Sequence, residues 1–537
     1  MLFFILVTFS YIVVTLVIQT NLAHRWTCKV RQLWKQNWSQ KLIPASGLTF
    51  YILFTYSPGI QYLLIDDLLL LRFVYDRSIW AIFAESAYGT ILYRPFFQLQ
   101  AWVFYQLFGV TPAGYHFGQL LVYCLSGVAV YHAIDRAIHS KFVAFSAVLL
   151  ITAHMFTSSL LILWALDTAP LGGLVVGLAT AMLIRPMPRL GWYVVLFFLL
   201  LLSPLTRENG LALNFGVIVY SLGLFRLSAS RRFHGVTIGL CSMVAVLLYF
   251  LMRSNVTGSA IPPSFSTETA GYTGAQIAAF APLQRLKLHV YTVLVNLISN
   301  FFLFFDDQGI FLSPVLKLTV VLTCLVVAVL ALQAIADRIV RLPLERVGLK
   351  RMMSWGTAGL IVVASLTLSV WAPSLFTNNE RYMFYYEFAL HSLLSVGIIV
   401  ALMYRRSYER SHVLLVVFAL GLIVGNSVAT FAYSRWRTHY LTIIGWGVLL
   451  AISLQRLDTT TWPKRIRQVM LLMAVFLIVI SGLRVHSSFS NEAFMAETFN
   501  ADSYLCKPDF PEALAAQIAA MRYQQDWRAI EDCRRTR

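Results

Sequence analysis

Charge is scarce in this sequence. Only 12% of its 537 residues are Asp, Glu, Lys or Arg, against about 25% in a soluble domain, and acids are the scarcer sign, 24 against 42. With 58% hydrophobic residues and a mean hydropathy of +0.71, this excludes an ordinary soluble globular protein. Metal-binding spacings such as C-x-x-C or H-E-x-x-H are lacking. So are a G-x-x-x-x-G-K-[ST] phosphate loop and a dinucleotide fingerprint, which argues against an ATP-driven transporter. Residues 1–19 lack the charged leading segment and small-residue cleavage site of a signal peptide, and read as a retained helix. Cysteine is sparse, six in all. Cys124, Cys241 and Cys324 sit in apolar runs as buried small residues, and Cys28 lies in a basic gap. Cys506 and Cys533 share a polar tail where oxidising conditions would permit a disulfide.

What the chain does have is apolar runs of the ~20 residues that a bilayer crossing needs, such as 316–336 and 413–433. The formal charge of +18 falls in the short gaps between them: 24–36, Lys41, 136–141, 185–189, 226–232, Arg338 with 341–351, 405–410, Arg456 and 463–467. Assigning these gaps to the cytoplasm by the positive-inside rule puts about 24 bases and about 5 acids there, and about 18 against about 19 on the other side. Topology thus accounts for the positive excess, and a nucleic-acid partner is not needed. The fold class predicted is an all-α polytopic membrane protein with about 14 transmembrane helices. Crossings are expected at 2–19, 44–63, 115–134, 142–163, 170–184, 190–205, 210–225, 235–252, 312–336, 354–373, 388–404, 413–433, 439–455 and 468–484. A full crossing at 289–305 would put the basic 338–351 loop outside, so that stretch is read as a helix that dips in or lies at the interface. The polar segment 253–276 reads as an outer loop. The domain division is 1–43, an extra N-terminal helix and basic loop; 44–305, with a first outer loop at 64–112; 306–484, further crossings; and 485–537, an outer tail with helical periodicity at 511–527.

Functional residues are expected on the outer face. In LLIDDLLLLRF (63–73) an apolar run meets Asp66 and Asp67, although a charge near a helix centre in the bilayer costs roughly 2.5–3.5 kcal/mol. An aromatic loop follows over 72–121, whose helices would lie along the interface. LTRENG (205–210) brings Arg207 and Glu208, NNERYMFYYEF (378–388) brings Glu380, Arg381 and Tyr382, and YSRWRTHY (433–440) brings Arg435 and Arg437. Each alone is the ordinary mark of a helix surfacing, with its cation snorkelling to water. Paired carboxylates and several arginines on one face could instead hold an anionic phosphate while a carboxylate serves as base.

The order of these motifs resembles the glycosyltransferase C superfamily, the multi-spanning enzymes that use polyprenyl-phosphate-linked sugars. Its protein O-mannosyltransferase-like branch is the most similar. The likeness runs over roughly 44–390: Asp66 and Asp67; Tyr93, Arg94 and Pro95; Leu107, Phe108 and Gly109; Pro112; Tyr115 and His116; the Arg207, Glu208, Asn209, Gly210 element; and Glu380, Arg381, Tyr382, Met383 and Phe384. The extra N-terminal helix departs from the pattern, and no large soluble outer domain or helical-repeat array is present.

The resemblance implies transfer of a sugar from a polyprenyl-phosphate donor to an acceptor hydroxyl. Asp66 or Asp67 would be the general base; the two point ~100° apart on a helix and are not ranked by sequence. Arg207 and Arg381, with Arg94 or the pair Arg435 and Arg437, would bind the phosphate, because the guanidinium fork matches phosphate oxygens. Glu208 would orient Arg207 or a sugar hydroxyl, and His116, Tyr93, Glu380 and Tyr382 would line the substrate. No cofactor is required on this reading, although adjacent carboxylates can bind a divalent metal. The short tail favours a glycan or lipid-linked acceptor over protein Ser/Thr. A bacterial inner membrane is expected, with the site facing the periplasm. A lipid-linked-saccharide transporter or flippase, a protein O-glycosyltransferase and a non-catalytic assembly subunit are the alternatives.

Overall fold

A computed structural model describes residue 46 and residues 65–87, 92–153, 168–184, 190–225, 229–259, 268–269, 272–273, 281–283, 410–429, 440–459 and 510–523. The chain divides into two compact units, Met1–Tyr51 and Ile52–Arg537, and all of these residues except Ser46 belong to the second. The expected crossings at 2–19, 312–336, 354–373, 388–404 and 468–484, the segment 289–305, and 44–63 apart from residue 46 lie outside the described residues.

The described chain is helical throughout, apart from a two-residue antiparallel rung, β1 (Glu268–Thr269) on β2 (Tyr272–Thr273). That rung sits in the stretch expected as a polar loop. Three short helices come first: α1 (Ile65–Val74), α2 (Ile79–Ala84) and α3 (Pro95–Phe108). Ser78 caps α2 by accepting from the Ala81 amide at 3.3 Å. Pro95, with its φ already set for a helix, opens α3. Gly109, at φ +58, closes it by donating to the Tyr105 carbonyl. Gln98 on α3 stitches the end of α2 by donating to the Ile82 and Glu85 carbonyls and accepting from the Ala87 amide.

These helices form a small core of their own. Leu68, Leu71, Phe73, Ile82, Phe97 and Phe104 are buried together; the tail helix α12 (Glu512–Tyr523) adds Leu514 and Ala515, and Phe510, two residues before it, joins them. The helix expected at 511–527 is present over Glu512–Tyr523 and docks on the core of α1 to α3. Pairing of Cys506 with Cys533 lies outside the described residues.

The long helices follow: α4 (Pro112–Ile138), α5 (Lys141–Ala153), α6 (Thr168–Leu183), α7 (Leu190–Thr206), α8 (Leu211–Phe225), α9 (Ala229–Thr257), α10 (Arg410–Ala429) and α11 (Tyr440–Thr459). The bounds of α4, α6, α7, α8 and α11 fall close to the expected crossings, while α5 and α10 are described only to Ala153 and Ala429, short of the expected 163 and 433. Among the described elements they pack in a closed circuit, α5–α4–α6–α7–α9–α8–α10–α11 and back to α5. Glycines permit the closest approaches. A Cβ on Gly421 of α10 would lie 2.8 Å from Gly216 Cα of α8, and one on Gly177 of α6 would lie 2.8 Å from the Val130 amide of α4. Small residues at such crossings are how helices associate where water supplies no driving force.

Pro112–Ile138 and Arg231–Thr257 are long and apolar enough to cross a membrane. The second is largely bare: Phe233, Leu240, Met243, Leu247 and Leu251 of α9 are exposed, as are Val194, Val195 and Phe198 of α7. A continuous apolar surface of this kind is foreign to a water-facing monomer. α9 also runs further than expected. Nothing in 253–257 breaks a helix, so it continues through Arg253 to Thr257 and stops at Gly258, φ +73. Arg253 is thus on the last turns of a long helix, not in a loop.

Leu514→Asp places a charge in the core shared by α1, α3 and α12. We expect a loss at least that of a buried Leu→Ala change, about 2–5 kcal/mol. Limited proteolysis should then cut within 511–523 under conditions that leave the wild-type tail intact.

Candidate functional site

The turn between α7 and α8 is dictated by sequence. Thr206 Oγ1 bonds back to the Leu202 carbonyl at 2.9 Å, and Arg207 leaves the helix in extended conformation, φ −161° and ψ 145°. A single 3-10 turn, Glu208–Gly210, then folds back on α7. Gly210 N donates to the Arg207 carbonyl at 2.8 Å, and Ser203 Oγ donates to the Gly210 carbonyl at 3.0 Å. A Cβ on Gly210 would lie 2.2 Å from the Ser203 carbonyl oxygen, so only glycine fits.

Extended backbone at Arg207 sends consecutive side chains to opposite sides. Arg207, buried, donates from Nη1 to Thr168 Oγ1 at 3.1 Å, on the first turn of α6. Glu208, also buried, turns the other way. Its Oε2 accepts from both Arg94 Nε and Arg94 Nη2 at 2.8 Å, and its Oε1 lies 4.0 Å from Nη1 of Arg253 on α9. The carboxylate of Glu208 is thus held by Arg94, a contact that the sequence did not suggest. Asn209 completes the turn. Its Nδ2 donates to Asn426 Oδ1 of α10 at 3.2 Å, and Asn426 Nδ2 donates to Thr442 Oγ1 of α11 at 2.7 Å. All three are buried.

Two sequence motifs, 93–95 and 205–210, thus meet directly. The start of α11, whose first residue Tyr440 ends the 433–440 motif, joins them through Asn426. Tyr440 itself crosses α6 where Gly172 leaves room; a Cβ there would lie 2.4 Å from its hydroxyl. Tyr93 is buried against Leu205 and Tyr249, and its hydroxyl donates to the Phe83 carbonyl at 3.0 Å. Burial pushes that phenol up to about 12, so Tyr93 stays protonated and anchors the loop. His116 is buried in the first turns of α4. Asp66 and Asp67 lie in the first described turn of α1, which packs on α3; their side chains lie outside the described residues. Arg381, Arg435, Arg437, Glu380 and Tyr382 also lie outside them. Among the described residues, no three His, Cys, Asp or Glu side chains gather as a metal site would require.

Sequence reasoning missed Arg253, Tyr249, Thr168, Asn426 and Thr442. For Arg253 a signal existed: Tyr249 and Arg253 stand one helical turn apart, and no breaker precedes Gly258. For Asn426 and Thr442, inside apolar runs, the only signal was their polarity. No protein-family model matches the chain, and no curated protein matches it.

Gly210→Ala forces apart the turn and the last turn of α7. We expect destabilisation of about 1–3 kcal/mol, the range for overpacking, read as a lowered thermal midpoint in detergent. Glu208→Gln, which leaves Arg94 and Arg253 without their carboxylate, should cost more, about 3–5 kcal/mol. Equal midpoints for Glu208→Gln and wild type would contradict the ion pair.

Proposed function

We propose that the protein is an integral membrane glycosyltransferase of the glycosyltransferase C type, with about 14 spans. It transfers a sugar from a polyprenyl-phosphate donor to a glycan or lipid-linked acceptor on the outer face of a bacterial inner membrane. The observation that carries this reading is convergence. Arg94 and Arg207, from motifs far apart in sequence, are gathered with Glu208 at one end of the helix circuit, and the helix bearing Asp66 and Asp67 packs on the same loop helix that Arg94 begins. Arg136 and Lys141 flank the connection at the other end, where Gln455 Nε2 donates to the Ile138 carbonyl at 2.6 Å and brings the end of α11 to the end of α4.

In this mechanism the lipid tail of the donor stays in the membrane and its phosphate rests at the outer ends of the helices. Asp66 or Asp67 removes the acceptor hydroxyl proton as that oxygen attacks C1 of the sugar. The C1–O bond to phosphate breaks, and the departing phosphate carries the developing charge. Arg207, with Arg381 and the pair Arg435 and Arg437, stabilises it, since charge-assisted hydrogen bonds strengthen as charge grows. Arg94 and Glu208 hold the turn that presents Arg207. Tyr93 shapes the loop rather than touching substrate, and no metal takes part.

The test is sugar transfer by purified protein in lipid, with polyprenyl-phosphate sugars and crude envelope glycan. Asp66→Asn or Asp67→Asn should lower kcat by about 10²–10⁴-fold, the usual worth of a general base, while donor binding persists. Arg207→Ala should raise KM as well as lower kcat, and EDTA should leave the rate unchanged. Undiminished transfer in both Asp variants would move the chemistry away from the pair. Neither transfer nor donor binding by wild type would favour a transporter.

A further inference from the structure

The outer end of α9 carries a guanidinium with no exposed surface, that of Arg253. Such a group is costly to enclose in a membrane protein and is found where it is paired and used. Glu208 Oε1 lies 4.0 Å from its Nη1 and makes no hydrogen bond among the described residues, whereas Oε2 is held by two N–H groups of Arg94. One carboxylate therefore stands between two cations from different elements, in contact with one and at longer range from the other. Tyr249, one turn before Arg253, packs with Tyr93 and Leu205, so this face of α9 is built against both the loop motif and the end of α7. Stability alone does not call for the charge, because buried ion pairs are often replaced by apolar residues without loss.

We propose that Arg253 is a positioning residue of the glycosyl-transfer site, acting through Glu208; the inference rests on the function proposed above. Arg94 fixes one carboxylate oxygen, about which the group could still swing. Arg253 draws the other towards α9 and sets the plane of the carboxylate. Glu208 is joined in sequence to Arg207, so the same constraint places the Arg207 guanidinium beside Thr168. Losing Arg253 lets the turn shift and weakens anion binding, while the base on α1, a separate element, keeps its competence.

The experiment uses the full chain in lipid with Arg253→Gln, Arg253→Lys, Glu208→Gln and the double variant Arg253→Gln/Glu208→Gln. The probe is a polyprenyl-phosphate sugar that the wild type turns over. Arg253→Gln should raise the donor KM about tenfold and leave kcat within about threefold, the pattern of a lost binding geometry. Arg253→Lys should recover most of the loss, and in the Glu208→Gln background the Arg253 change should add less than about twofold. Thermal midpoints, read without donor, should show the same non-additivity. Multiplying effects on KM, a fall in kcat alone, or unchanged kinetics in Arg253→Gln would each overturn the proposal, as would additive shifts in the midpoints. A wild type inactive on every donor would remove the proposed function and the positioning role with it. Non-additive midpoints would in that case report a purely structural clasp.

Discussion

One ion pair, Arg94 with Glu208, joins segments 114 residues apart and fixes much of what surrounds it. A carboxylate with so little exposure must have its charge answered inside the protein, because water is not there to do so. That requirement brings the first residues of α3 to the turn between α7 and α8, and with α3 come α1, α2 and the docked tail helix. The loop sits over one end of the long helices because its arginine has a partner there. Pro95 and Gly210 are the backbone conditions of the meeting: one opens α3 just after Arg94, and the other lets the turn close on Ser203.

The rest of the polar inventory obeys the same constraint. Along their middle stretches the long helices present apolar surface, some of it bare, and their close contacts are made by glycine. Hydrogen-bonding side chains that do lie inside are chained to one another. Asn209, Asn426 and Thr442 connect the turn to α10 and α11, with each bond between helices worth roughly 0.6 kcal/mol on average in such settings. Their value lies in geometry more than in energy. An amide with both a donor and an acceptor accepts few registers of its neighbours, so the C-terminal helices are held at a fixed height relative to Arg207.

Much of this was readable in the sequence, and the part that was not has identifiable causes. The bounds of α6, α7 and α8 follow from apolar runs ended by Arg185, Arg207 and Arg226, because an uninterrupted run and a charged stop are local signals. Arg253 misled for the same reason: the first charge after an apolar run looks like the start of a loop, yet helix ends are set by breakers, and the breaker is Gly258. The helix at 512–523 was legible from its periodicity. Its seat on α1 and α3 was not, since Leu514 says only that it will be buried, not against what. The partner of Glu208 was not legible, because it lies 114 residues away and is met past the extended backbone of a single residue, Arg207.

That single residue also reshapes the chemistry proposed for the site. Five arginines were candidates for an anionic phosphate, and they are not equivalent. Arg94 gives two N–H groups to a carboxylate that accepts them at 2.8 Å, and an incoming phosphate would have to displace a partner already desolvated and aligned. Arg207 faces a neutral hydroxyl at 3.1 Å, an interaction that a phosphate oxygen can replace at little cost, since a charged acceptor is the stronger one. The division of labour follows from electrostatics alone. Glu208 withdraws Arg94 from competition and makes it structure, and the same turn sets Arg207 against the Thr168 hydroxyl. In the proposed reaction the phosphate is therefore met first by Arg207.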